Sequence, residues 1–194
     1  MLSLVLLCAP LTAVAETPTE RLVRIQKALD LDESHVKIWW FGWTGVMFAA
    51  GAVQTGMSVA SDDPAWVSDR LVGATNAWIG VAGMALTPVR PLQRWTPLPD
   101  LPVSAQLRIA EAELRDRAKR EGAVGGWLDH ALVVVLAVGT AAFLYYHEHR
   151  PVSAALAGST NLVFGEFQLW SIPHTAIKAV KTLDDIPLEP EPQQ

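Results

Sequence analysis

Residues 131–146 read ALVVVLAVGTAAFLYY, a run with no charge in it. Extended back to residue 128 it makes a helix of about 28 Å at 1.5 Å per residue, close to the ~30 Å of a bilayer's hydrocarbon core. The run therefore points to lipid as solvent, and the rest of the chain repeats the pattern. Residues 38–60, 71–89 and 152–175 are apolar stretches of similar length, and away from the ends of the four segments Glu166 is the one acidic or basic residue. The composition agrees. The 194 residues are 51% hydrophobic and 18% charged, against about a quarter charged in soluble domains.

The expected fold is all-α: an integral membrane four-helix bundle with two additional amphipathic interfacial helices on one face. The bundle spans are 38–60, 71–89, 128–146 and 152–175. The first amphipathic helix, 18–30, opens with Thr17, Pro18 and Glu20, a capping-box pattern, and places Leu22, Ile25 and Leu29 on one face. Asp30 to Ser34 reads as a solvated break before the first span. The second, 103–121, carries Val103, Leu107, Ala110, Leu114 and Ala118 as its apolar stripe, with mixed charges elsewhere, and Gly122 as its stop. Between them residues 90–102 are proline-rich and irregular.

Residues 1–15, MLSLVLLCAPLTAVA, resemble a secretory signal with a small-x-small ending but lack a basic n-region; a short uncleaved anchor is the alternative. Residues 16–183 then form a single helical membrane domain, and 184–194 an acidic, proline-rich, disordered tail.

Aromatic placement supports this layout. On the proximal side, where residue 38 enters the bundle, stand Trp39, Trp40, Trp43, Trp127 and Trp170; Tyr145 and Tyr146 mark the distal side. Trp and Tyr favour the headgroup level, so all seven are expected as interface anchors. Two rules conflict over orientation. Thirteen of the fifteen Lys and Arg residues lie proximally, which argues for a cytoplasmic proximal side, whereas a cleaved signal puts that side outside the cytoplasm. The expected location is the cell (inner) membrane as a multi-pass protein, with the amino terminus periplasmic.

Small residues mark the expected helix contacts. Ala52, Gly56 and Ala60 recur every fourth residue, and Gly73, Asn76, Gly80 and Gly83 form a second stripe. Glu166 stands out, at an expected depth of about 16 Å from the proximal side. A carboxylate there is neutral, paired or facing a wet cavity. Ser159, Asn161 and Gln168 share its helix and are expected to face the bundle interior, with Asn76 as their partner. His130 and His174 are weak candidates for holding a metal or haem iron.

Several function classes are disfavoured. Net charge −5 argues against nucleic acid. The single cysteine, Cys8, allows no intrachain disulfide. No phosphate loop, H-E-x-x-H or G-x-S-x-G motif occurs, and no cofactor is expected. The expected partners are the lipid bilayer and other membrane proteins or a second copy of this chain. The leading expectation is a non-enzymatic multi-pass membrane protein, a scaffold or accessory subunit of an envelope complex. The alternatives are a small transporter or proton-coupled conduit using Glu166, and a metal- or haem-binding redox protein using His130 and His174.

Overall fold

The computed structural model describes residues 15–91 and 95–189. Nearly all of the signal-like segment and the end of the acidic tail lie outside the described residues. Among the described residues the chain is all-helical: α1 (Pro18–Val59), α2 (Pro64–Leu86), α3 (Val103–Gly122), α4 (Trp127–Ala142) continued by a π-helical turn (Phe143–His147), α5 (Pro151–Trp170) and α6 (Thr175–Asp185).

Local chemistry sets the helix starts. Glu20 N donates to Thr17 Oγ1 (3.3 Å) and Thr17 N donates to Glu20 Oε2 (3.1 Å), closing the capping box of α1. The Thr17 hydroxyl also donates to Glu20 Oε2 (2.8 Å), and that bond, then the one from Thr17 N, lowers the Glu20 pKa. Asp63 Oδ1 accepts from Ala65 N at the start of α2 (3.0 Å), with Pro64 in the first turn. Asp129 Oδ2 accepts from Gly126 N ahead of α4 (3.1 Å), after Gly125 turns the chain at φ +75°.

Three expectations about boundaries are corrected. The break at Asp30–Ser34 does not exist: α1 runs unbroken for 42 residues, about 63 Å. Asp32 is buried against Arg117 of α3 (3.3 Å), whereas Asp30 stays exposed and Glu33 pairs within the helix with Lys37 (2.5 Å). The fourth span ends at Trp170, not at residue 175, because Pro173 lacks the N–H that would continue the ladder. A further helix, α6, then forms. Finally, residues 184–189 are not a free tail. Asp184 pairs with Arg115 (2.6 Å), and Pro187 O and Glu189 N bond Glu16 N and O (both 3.0 Å).

The elements divide into two regions that share α1. The head combines the first half of α1 with α3 and α6 around Leu22, Ile25, Leu29, Leu107, Ala110, Leu114, Ala176 and Leu183. Both apolar stripes read from the sequence meet there, save that Val103 is exposed. Each fully buried Leu or Ile contributes roughly 1.5–3 kcal/mol.

The bundle combines the second half of α1 with α2, α4 and α5. Its close contacts run through glycine. A Cβ added at Gly51 would meet Trp78 at 2.9 Å, at Gly80 Met47 at 2.5 Å, at Gly158 Ala141 at 2.9 Å and at Gly165 Val133 at 2.6 Å. Thus α1 packs on α2 and α4 on α5, and the two hairpins touch each other sparsely. The stripe Ala52–Gly56–Ala60 is exposed and makes no such approach; Gly51, one position away, supplies it. One helical stretch, within residues 103–147, is long and apolar enough to cross a membrane; its most apolar part has a mean hydropathy of 1.8, and 17% of it is buried.

Candidate functional site

Glu166 sits four residues before the end of α5, so about 6 Å of rise separates it from the proximal end and not the expected ~16 Å. His130 lies at the matching level of α4, one turn after Trp127. The antiparallel pairing of the two helices brings His130 Nδ1 and Glu166 Oε2 to 2.7 Å, with both side chains partly exposed. Of the three states expected for the carboxylate, the geometry gives the paired one. The pair ties α4 to α5.

Deeper in the bundle a second polar group forms around a residue that sequence reasoning misses. Asn76 Nδ2 and Asn161 Nδ2 both reach Thr140 Oγ1, at 3.1 and 3.2 Å, joining α2, α4 and α5. The sequence predicts Asn76 and Asn161 as direct partners; in the structure Thr140 mediates. The signal is present, since Thr140 is the one hydroxyl inside ALVVVLAVG-T-AAF. Gln168 does turn inward, its amide lying 2.9 Å from Met84 Sδ of α2. Ser159 does not: it is exposed and donates back to Ala155 O (2.7 Å).

A third group closes the proximal end. Trp39 Nε1 (3.2 Å) and Trp43 Nε1 (2.9 Å) both donate to Ser171 Oγ, while Trp40 Nε1 donates to Met84 O (2.9 Å). These three indoles are thus turned toward protein, and Trp39 is buried. Trp127, Trp170, Tyr145 and Tyr146 do point outward, at 76%, 77%, 51% and 74% exposure.

His174 stands before α6 and is not brought into the His130–Glu166 pair. It lines an open groove with His35, whose Nδ1 is 2.9 Å from Thr175 Oγ1. Among the described residues no group of three or more His, Cys, Asp and Glu side chains could hold a metal ion.

Between the hairpins lies a cleft of about 490 Å³, within the usual range of ligand sites. Its walls come from α1, α2, α4 and α5. They include Asn76, Asn161 and Gln168 but not Glu166 or His130. At its distal end Asp69 pairs with Arg150 (2.7 Å) and accepts from Ser153 Oγ (2.9 Å).

In the head, Glu121 is 2% exposed and accepts from Ala176 N (3.2 Å) and Ile177 N (2.9 Å). A side chain of α3 thereby satisfies two of the amino-terminal N–H groups of α6, which has no side-chain cap of its own. Burial, and then the neighbouring Asp32, push its pKa up to about 7 against the pull of those two N–H groups.

The chain matches no family model, no curated protein and no solved structure.

Proposed function

We propose that this is a non-enzymatic multi-pass membrane protein whose bundle is immersed in lipid and whose head stands in water as a scaffold or accessory subunit. One observation carries the reading: the bundle turns its large apolar side chains outward. Ile38, Phe41, Phe48, Leu132, Val135 and Phe167 are all more than half exposed, on three different helices. Contiguous apolar surface on soluble monomers rarely exceeds a few hundred Å². Outward Trp and Tyr flank the belt at the proximal and distal ends, where headgroups would lie. Glycine contacts and a central Asn–Thr–Asn group inside suit association in a medium that gives apolar contacts no special advantage.

The test is extraction of membranes carrying the protein. Alkaline carbonate should leave it in the pellet, and floated vesicles should carry it. Release by carbonate would remove the proposal.

The conduit reading draws on the Glu166–His130 pair. Two features favour a structural role for that pair instead: it lies near the helix ends, and it is absent from the cleft lining. Glu166→Gln is therefore expected to lower the Tm of the purified protein by a few degrees, about 1 kcal/mol for one partly exposed hydrogen bond, and to leave growth phenotypes intact. A lost phenotype with unchanged Tm would favour the conduit.

A further inference from the structure

We propose that the cleft between the hairpins binds an amphiphile with one acidic head and one unbranched apolar chain, head at the distal end. The proposal rests on the membrane reading above and adds an occupant to it. The cleft is polarised along its length. At the distal end stands Arg70, held over the Trp66 ring at 4.4 Å. Its Nε is buried without a hydrogen-bond partner, and among the described residues no carboxylate pairs with it. The adjacent Asp69 pairs with Arg150 and accepts from Ser153, its Oδ1 otherwise having no hydrogen-bond partner, so two guanidiniums against one carboxylate leave this end with net positive charge. Gln54 lies at the same level, pressed against Gly73 one turn from Arg70, and its amide bonds to no described side chain or backbone group. A guanidinium and a primary amide together offer the donors that a carboxylate or phosphate head accepts.

Proximally the lining is mainly Val46, Ile79, Val133, Leu136 and Phe164, and the amides among them are engaged within the fold, Asn76 and Asn161 at Thr140 and Gln168 at Met84. From Gln54 back to Trp43 the cleft follows α1 for about 16 Å. A medium-length alkyl chain fills such a slot. Two donors at one end and hydrocarbon at the other discriminate by charge at the head and by shape along the tail.

Dodecanoate and dodecanol serve as probes, with binding to the full-length protein in a neutral detergent read by native mass spectrometry. The expected result is one dodecanoate per protein, bound more tightly than dodecanol. Arg70→Gln should weaken dodecanoate binding by about tenfold, the loss of one charge-assisted bond, and leave dodecanol unchanged. Arg70→Lys should restore part of the preference, and Ala157→Phe, which fills the cleft wall, should weaken both probes. Equal binding of acid and alcohol, or Arg70→Gln binding dodecanoate like the wild type, would overturn the proposal. Carbonate release would instead strike the membrane reading, so the two failures are told apart.

Discussion

The head and the bundle are built from the same kind of helix but put their side chains to opposite use. The head buries the aliphatic bulk of Ile25, Leu29 and Leu114, and covers it with ion pairs: Arg21–Glu111 (2.6 Å), Arg117–Glu113 (2.8 Å) and Arg120–Asp116 (2.5 Å). The bundle buries Gly51, Gly158, Ala137 and Thr140 and shows its valines and phenylalanines outside. In the head, removal of apolar area from water drives association. On the membrane reading proposed above, close backbone approach and a few hydrogen bonds take that role in the bundle.

The widest test of that contrast pairs one substitution from each region. Leu114→Ala, at a position with no exposure, should cost about 2–5 kcal/mol in denaturant unfolding. Val135→Ala, at 67% exposure on α4, should stay within about 0.5 kcal/mol in detergent. Equal costs would erase the distinction.

A middle-sized effect belongs to the head alone. Glu121 has a folded pKa raised to about 7 from 4.5, so between those values the folded state holds a proton that the unfolded state has lost. The head is therefore most stable below about pH 4.5 as far as this group is concerned, and loses that contribution as pH rises through about 7. The groups facing it are Asp32 and Glu33 of α1, Arg117 and Arg120 of α3, Arg90 from the loop after α2, and the N–H groups opening α6. Melting followed across this window should show a Tm that falls with rising pH, and Glu121→Gln should flatten the slope. A slope retained in the variant would assign it to another group.

The smallest effect concerns the bundle. Thr140→Val removes the hydroxyl shared by Asn76 and Asn161 and should cost about 1 kcal/mol, two hydrogen bonds at the ~0.6 kcal/mol average for membrane helices. A cost of several kcal/mol would mean that the bundle depends on polar burial far more than on its glycine contacts.

Much of this architecture is legible in local patterns. The Thr17–Glu20 box, the two leucine stripes of the head and the helical runs of the bundle follow from periodicity and capping, which depend on neighbours a turn away. What stays hidden depends on distant partners. Asp32 looks like a loop residue because Arg117, the group that permits its burial within a helix, lies far along the chain. The helix after Pro173 has no local cap, because Glu121 comes from α3; its apolar stripe Ala176, Ala179, Val180 and Leu183 is the local sign it does give. The depth of Glu166 is overestimated for a related reason, since it is counted from a helix end that Pro173 moves. Of the site residues, helical spacing places Asn161 and Gln168 correctly on the inner side, whereas Ser159 satisfies its own backbone and needs no interior partner.

The unbroken course of α1 has a practical corollary. Residues 18–37 wall the head and residues 38–59 wall the bundle, with no linker between them at which to divide the protein. Cutting the backbone near Lys37 would strand up to four carbonyls on one fragment and four amides on the other, each fragment keeping only part of its own wall. The two regions must be made, purified and unfolded as a single object.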